Sequence, residues 1–286
     1  PRTLGATYTN TDFTIVDETD ILDVWQTFVY AKYKYPKAFD VAKFIDTRER
    51  RTILGEFWLT IYDQLTNRTY PDTIGICKTN FDTHGYTVDP LFELYTPPSS
   101  RSVVTNMPYR CLLPKGLEGI LVVGLGVSAH RDAIPLVRMQ PDVQNVGYAA
   151  GWAAAAASRL GGKTRAVDLK PMQKHLVELG CVSESVLSDK DSFPLSDEQV
   201  QKAVESARKG YEGAAVLLSH RDQSLPLVRK AYEQTTDDKE KLIYAHILAV
   251  MGDATGAQTL LHAVESSPGF DKGWHYTGMG QFGRSM

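Results

Sequence analysis

Residues 109–160 constrain the fold of this chain more than any other part of the sequence. They contain an apolar run, GILVVG at residues 119–124, which is too short for a helix and rich in β-branched residues. A turn, Gly124-Leu-Gly126, follows it, and an alanine-rich helix is predicted to open near Pro141. This order predicts a strand buried on both faces inside a parallel sheet, then a turn, then a wholly buried helix.

The turn and the start of the helix together predict a binding site. Gly124 and Gly126 have no Cβ, so the backbone can come close to a ligand. The first N–H groups of the helix have no partner within it, and the helix dipole gives that end a partial positive charge. We therefore expect an anionic or carbonyl-bearing ligand, such as a cofactor, at this point.

GLGVSA at residues 124–129 also matches the dinucleotide-binding fingerprint, which makes a nicotinamide-dependent dehydrogenase one alternative. Two observations oppose it. Pro135 and Pro141 interrupt the connection before the helix, whereas the fingerprint needs a helix that starts inside it. A second strand with an acidic residue about 20 residues on is not found, because that region is predicted to be helical.

The same stretch resembles the carboxy-terminal flavin-contacting motif of the FAD-dependent oxidoreductase family. The resemblance extends over residues 45–185. The counterparts of the motif are Pro108-Tyr109-Arg110, Leu113-Pro114, residues 120–124, Ser128-Ala129, Asp132-Ala133, Arg138, Pro141 and residues 147–151; upstream they are residues 48–51, Ile53, Gly55, Glu56, residues 71–74 and residues 82–85.

The resemblance implies an FAD-dependent oxidoreductase that transfers a hydride from a small organic substrate to FAD. Two departures, Leu125 where the family often has Arg and Arg131 where it usually has His, leave the substrate undefined. The residues that the resemblance and the turn assign to the cofactor are Gly124, Gly126, Asp132, Arg138, Pro141, Gly147 and Tyr148.

Two of these residues have alternative interpretations. Arg138 could hold a phosphate, a carboxylate or the polar edge of the flavin, or it could form a surface ion pair with Asp142, four residues on. By resemblance, Asp132 would accept hydrogen bonds from the ribityl hydroxyls, and the alternative is an aspartate that forms a turn.

The catalytic candidates lie upstream. His84 could move a proton near the reactive face of the flavin, or it could be a solvated loop histidine. Arg48 and Arg51 could clamp the substrate, or they could belong to a solvated helix end. The other histidines show no spacing typical of a metal site, so we predict no metal.

Composition excludes several classes of protein. The 286 residues include 31 basic and 34 acidic ones, which gives no field that would attract nucleic acid or anionic lipid. No run approaches the roughly 20 apolar residues of a membrane span. The three cysteines, Cys77, Cys111 and Cys181, are too few and too widely spaced for a disulfide framework, and we interpret them as small buried residues. The localisation is not predicted.

The predicted fold class is α/β, a partial FAD-binding Rossmann-like domain with an α+β substrate domain, followed by an all-α HEAT-like region. The domains are residues 1–105 (substrate or cap), 106–187 (carboxy-terminal part of the FAD-binding domain) and 196–286 (HEAT-like repeats). We expect a helix at 21–32 with Asp20 as its N-cap, a helix at 38–46, and a helix at 172–179 that ends at Gly180. Five helical segments follow Ser196, with Ser196 or Asp237 at starts and Gly210 and Gly252 at ends. Strands are expected at 52–62, 73–77, 92–95 and 103–105.

The family is expected to carry an adenine-dinucleotide fingerprint near its amino terminus, and no such pattern precedes Tyr109. The resemblance therefore implies a fragment that pairs with the remaining N-terminal portion of the same protein and is inactive by itself. The alternative to an enzyme is a helical-repeat binding or scaffold module with a structural Rossmann-like region.

Overall fold

The computed structural model describes residues 20–34, 36–37, 52–82, 87–95, 101–266, 274–276 and 282–284. The predicted helix at 38–46 lies outside these residues, as do Arg48, Arg51 and His84. We call residues 52–187 the mixed unit, residues 188–195 the linker and residues 196–266 the helical unit.

Helix α1, Ile21–Lys34, confirms the prediction for this part of the chain. Asp20 caps it, because its Oδ1 accepts the Leu22 N–H at 2.9 Å. Large apolar side chains of α1 face solvent, including Trp25 at 65 % exposure.

Two antiparallel strands form the sheet of the mixed unit. Strand β1, Thr73–Asn80, pairs with strand β2, Ser102–Pro108. The predicted strands at 73–77 and 103–105 are confirmed. Strand β2 crosses the predicted domain boundary between residues 105 and 106.

The predicted strand at 52–62 is wrong. Only isolated bridges form there, Gly55 with Pro114 and Leu59 with Ala129. Helix α2, Ile61–Leu65, then begins because Thr60 and Asp63 form a capping box.

The predicted strand at 92–95 is also wrong. Helix α3, Leu91–Leu94, occupies that position. Its first turn is fixed by Asp89, whose Oδ1 accepts the Leu91 N–H at 2.9 Å.

Residues 119–123 are not a strand buried on both faces, and no parallel sheet exists among the described residues. Ile120 and Val123 are 45 % and 42 % exposed. A strand inside a parallel sheet needs a strand on each side, whereas in the described part of the chain this segment bonds a short helical turn, through the Val122 N–H and the Leu112 carbonyl at 2.9 Å.

Helix α4, Gln140–Arg159, has Pro141 in its first turn, as predicted. It is buried on one face only, so the prediction of a wholly buried helix is wrong. The buried face packs on β1, where a Cβ on Gly75 would lie 2.8 Å from Val146 Cγ2. Tyr148 and Gly151 lie on the exposed face.

Helix α5, Leu169–Glu178, ends the mixed unit, and Gly180 follows it with a φ of +72°. Gln173 ties α5 to the start of β1, since its Nε2 donates to the carbonyls of Pro71 and Thr73 at 3.0 Å each. The predicted helix at 172–179 and its glycine stop are confirmed.

The helical unit contains five helices, as predicted. Ser196 and Asp237 cap α6 and α9, and Gly210 and Gly252 take positive φ near helix ends. Helix α7 packs against α2 and α3, and α9 packs against α3, so the unit lies against the mixed unit. The helices are α6 (Asp197–Ala207), α7 (Ala214–Ser219), α8 (Arg221–Gln234), α9 (Asp238–Val250) and α10 (Ala257–Glu265), and a hairpin of β3 (Trp274–Tyr276) and β4 (Phe282–Arg284) follows.

Candidate cofactor site

The double-glycine turn is a tight bend in the backbone. Gly124 has a φ of +69°, a conformation that favours glycine. A Cβ on Gly126 would lie 3.1 Å from Val122 Cγ1, so a larger residue would strain the bend. The Val127 N–H donates to the Gly124 carbonyl at 3.4 Å and closes the turn.

The bend lies at the amino-terminal end of α4. A Cβ on Gly124 would lie 3.9 Å from Val143 Cγ1, in the first turn of that helix. At the other end, a Cβ on Gly119 would lie 3.4 Å from the Gly162 carbonyl, just beyond α4. Residues 119–123 therefore run along α4, and the bend that follows them lies at the electropositive end of the helix.

Gly147 lies four residues after Val143 and so faces the same side of α4. Nothing lies within 4 Å of the position that a Cβ would take on Gly147. Pro141 is exposed in the first turn. The structure thus places Gly124 near the first turn of α4 and Gly147 one turn further along the same side as Val143, while Gly126 lies in the bend and Pro141 is exposed elsewhere on the first turn.

Tyr148 is not directed at the bend. Its hydroxyl oxygen lies 2.8 Å from Nε2 of His175 on α5, and the centroids of the two rings are 6.0 Å apart. Position 148 is 100° around the helix from position 147. The structure places this residue, which the sequence assigned to the cofactor, at the contact between α4 and α5.

Asp132 is completely buried and is engaged by the protein itself. Its Oδ2 accepts the N–H groups of Val88 at 2.8 Å and Asp89 at 2.7 Å, and its Oδ1 accepts Arg131 Nη1 at 2.9 Å. Tyr62 supports the same loop by donating its hydroxyl to Asp89 Oδ1 at 2.7 Å. Asp132 thus fixes the loop before α3. Sequence reasoning missed Tyr62, because no local pattern links it to Asp89, 27 residues away.

Arg138 is also buried, with 6 % of its side chain exposed. Its Nη2 donates to the Asp82 carbonyl at 2.7 Å and lies 3.8 Å from Asp82 Oδ2. Arg138 therefore pairs with Asp82, and not with Asp142, the partner that the alternative interpretation of the sequence gave it. Asp142 contacts the Lys78 backbone instead, and burial raises the pKa of its carboxyl group.

A buried contact fixes the chain just after the bend, at Ser128. The Gly55 N–H donates to Ser128 Oγ at 2.9 Å, and a Cβ on Gly55 would lie 2.6 Å from Ser128 Cβ. Both residues belong to the motif on which the family resemblance in the sequence depends. Only glycine fits at position 55.

The cysteines take no part in this arrangement. Cys77 and Cys111 are buried, as predicted, and burial raises the pKa of both thiols, whereas Cys181 is only partly buried. Within the described ranges, no group of three His, Cys, Asp or Glu side chains could hold a metal ion. None of the helices in the described part of the chain is long and apolar enough to span a membrane.

A glycine bend at the start of a long helix, with an open glycine on the helix face, is typical of a site that takes a large cofactor close to the backbone. Residues 10–176, more than half of the chain, match the FAD dependent oxidoreductase family. The chain belongs to that family, whose cofactor is FAD. No curated protein and no solved structure shows significant similarity to the chain.

The residues present fit FAD in part. Gly124 and Gly147 leave backbone open to a large group, Gly126 keeps the bend tight, and α4 points its positive end at the bend. Asp132 and Arg138 bind other parts of the protein and do not contribute free polar groups here. Helix α4 begins at Gln140, well after GLGVSA, which removes the geometric basis for the nicotinamide alternative.

Proposed function

We propose that this chain is the carboxy-terminal portion of an FAD-dependent oxidoreductase in which a hydride passes from a small organic substrate to the flavin. When bound, FAD supplies the hydride acceptor. The observation that carries the proposal is the bend at Gly124, with its positive φ, at the amino-terminal end of α4 beside the open position of Gly147.

Each part of the chain has a distinct role in this proposal. Gly124 and Gly126 allow close approach of the backbone, and the end of α4 favours negative charge that develops nearby. Asp132 acts as a positioning residue, since it holds the loop at Val88 and Asp89. This replaces the direct contact with the ribityl chain that the resemblance implied.

The catalytic assignments remain proposals from the sequence. We infer that His84 moves a proton to or from the substrate and that Arg48 and Arg51 orient it. Arg138 supports this side of the site through its bond to the carbonyl of Asp82, two residues before His84.

We infer further that the remaining N-terminal portion of the protein completes the site. Residues 119–123 expose Ile120 and Val123 on an extended segment that has no strand partner among the described residues. Exposed backbone of this kind pairs readily with another strand, and such pairing would produce the predicted Rossmann-like sheet. Helix α1 lies in the same family match and exposes Trp25 and Tyr33, so it offers a second apolar surface for the same portion.

The HEAT-like nature of the helical unit also remains a proposal. It is supported by the order of packing, in which α6, α7, α8, α9 and α10 each contact the next helix along the chain. In this view the unit is an appendage of the enzyme.

The variant Gly147→Leu in the complete gene product tests the cofactor site. A leucine would fill the open side of α4, and we expect FAD affinity to fall by tenfold or more, an effect of roughly 1.4 kcal/mol or larger. The measurement is a titration with FAD followed by flavin fluorescence, together with the thermal midpoint of the protein.

Ala155→Leu is the matched control, because residue 155 is exposed on α4 about two turns beyond Gly147. It should leave FAD affinity unchanged. Equal affinity in wild type and Gly147→Leu would overturn the assignment of the site. A complete gene product that binds no FAD would overturn the proposed function itself and favour the scaffold alternative.

A further inference from the structure

The linker is fastened to the mixed unit by several hydrogen bonds. Arg68 donates from Nε and Nη2 to the two carboxylate oxygens of Asp191, at 2.8 and 2.9 Å. The Thr69 hydroxyl donates to the Lys190 carbonyl at 2.7 Å, and the Thr69 backbone carbonyl accepts the Ser192 N–H at 3.3 Å. This side of the linker does not depend on any group that titrates near neutral pH.

A histidine of the helical unit holds the other side of the linker. His220 lies between α7 and α8, and its Nε2 accepts the Leu195 N–H at 2.9 Å. Its ring meets the Phe193 ring edge-on, with the centroids 4.6 Å apart. His220 therefore joins the helical unit to the residues that precede α6.

The surrounding hydrogen bonds fix the protonation state of His220. The Ser219 hydroxyl donates to the Val216 carbonyl at 2.9 Å, so its oxygen is left to accept from His220 Nδ1, 2.8 Å away. Nδ1 must then carry the proton. Nε2 has none, and this is what allows it to accept the Leu195 N–H.

We propose that His220 is a pH-sensitive latch between the linker and the helical unit, closed when the imidazole is neutral and opened when it is protonated. Protonation would place an N–H on Nε2 against the N–H of Leu195. Two donors cannot share a hydrogen bond at 2.9 Å, so the ring or the linker must move.

The electrostatic environment agrees with a neutral ring. Partial burial lowers the pKa of His220 below its usual value, and the positive charge of Arg68 lowers it further, while the Val216 backbone raises it. Arg68 stacks over Phe193 at 4.3 Å. The charged groups on the elements around the ring are Arg68 with its partners Asp63 and Asp191, Asp197 at the start of α6, and Arg221 and Asp222 at the start of α8.

The direction of the pH effect follows from this lowered pKa. The unfolded chain takes up a proton at this position near pH 6.5, whereas the folded chain does so only at lower pH. Below about pH 6.5 the unfolded or opened form therefore binds more protons than the closed one. The latch is fully closed above that pH and weakens as the pH falls through the pKa of folded His220.

Hydrogen exchange at the Leu195 amide tests the latch directly. After correction for the intrinsic effect of pH on exchange, we expect its protection factor to fall on the order of tenfold from pH 7.5 to pH 5. In the His220→Gln variant, Oε1 can accept the same N–H without titrating, so protection should stay constant. The 15N shifts of the ring should show a proton on Nδ1 in wild type at pH 7.5.

The His246→Gln variant is the matched control. His246 is also partly buried in the helical unit, with a lowered pKa, but it bonds the Tyr211 hydroxyl and not the linker. This variant should keep the wild-type loss of protection at Leu195. The proposal is wrong if Leu195 in wild type is equally protected at both pH values, if His220→Gln loses protection to the same extent, or if the ring proton lies on Nε2. Should His220→Gln fail to fold, the wild-type exchange and the ring shifts still decide the question.

Discussion

The mixed unit and the helical unit are held together in different ways. In the mixed unit, polar side chains join segments that are far apart in sequence: Asp132 and Val88 are 44 residues apart, Gln173 and Pro71 are 102 apart, and Arg165 and Glu56 are 109 apart. In the helical unit the caps act over two or three residues, from Ser196 to Gln199 and within the first turn of α9, and the side-chain hydrogen bonds between its helices reach over no more than 40 residues, the span from Tyr244 to the Val204 carbonyl.

This difference predicts how each unit responds to the loss of a single side chain. Loss of one bridging side chain in the mixed unit loosens two segments that are distant in sequence at the same time. Loss of a cap in the helical unit frays one end of one helix, while the apolar faces of the neighbouring helices stay packed. We therefore expect the mixed unit, which contains the candidate cofactor site, to fold cooperatively and the helical unit to fold in a more modular way.

The largest expected effect is that of Asp132→Ala. The variant removes a fully buried carboxylate that accepts the N–H groups of Val88 and Asp89 and faces Arg131. The free energy of unfolding should fall by about 3 kcal/mol, because a buried charge network loses its acceptor. Urea denaturation followed by tryptophan fluorescence measures it.

Asp237→Ala is the matched control in the helical unit. Asp237 also accepts two backbone N–H groups, those of Lys239 and Glu240 at 2.9 Å each, but it does so at an exposed helix start. Its loss should cost about 1 kcal/mol. Equal losses in the two variants would contradict the distinction between the units.

The next largest effect is expected for Gly55→Ala, and Gly256→Ala, where an added Cβ would clash to a similar degree, serves as its comparison. An alanine Cβ at position 55 would lie 2.6 Å from Ser128 Cβ, and one at position 256 would lie 2.6 Å from the Cα and Cβ of Ala245. Gly55→Ala should lower the free energy of unfolding of the mixed unit by about 2 kcal/mol, because the buried segments on both sides cannot move apart.

The clash that Gly256→Ala introduces with Ala245 should be relieved more easily. No residue of α10 is buried, so this helix can shift away from α9. Hydrogen exchange should accelerate in α10 alone for this variant, and throughout the mixed unit for Gly55→Ala. Accelerated exchange across the whole helical unit in Gly256→Ala would show that the unit is not modular.

The same contrast explains which parts of the fold the sequence could predict. Helix starts at Asp20, Ser196 and Asp237, and the helix stop at Gly180, depend on residues within one turn, and all were predicted correctly. The strands expected at 52–62 and 119–124 depend on partners elsewhere. An apolar, β-branched run becomes a buried strand only where a neighbouring strand is present.

The candidate site follows the same rule. The bend at Gly124 and the start of α4 near Pro141 were predictable, because each is encoded by adjacent residues. The partners of Asp132 and Arg138 were not, since Val88 and Asp82 lie 44 and 56 residues away in sequence. A motif can thus identify the residues of a site while leaving open which of them touch the ligand and which support it.

The smallest expected effect is that of Ser196→Ala at the start of α6. Ser196 Oγ accepts the Gln199 N–H at 3.3 Å, and Gln199 Oε1 accepts the Ser196 N–H at 3.0 Å, so the variant breaks a reciprocal cap. The free energy of unfolding should fall by about 0.5 kcal/mol, less than for Asp237→Ala because Ser196 accepts one N–H and not two, and Ser196→Gly should recover part of it, because glycine costs only a few tenths at this position. Exchange should accelerate in the first turn of α6 and stay unchanged at Val88 and Asp89. Faster exchange at those two amides would mean that the helical unit stabilises the loop held by Asp132, and the two units would then form one cooperative structure.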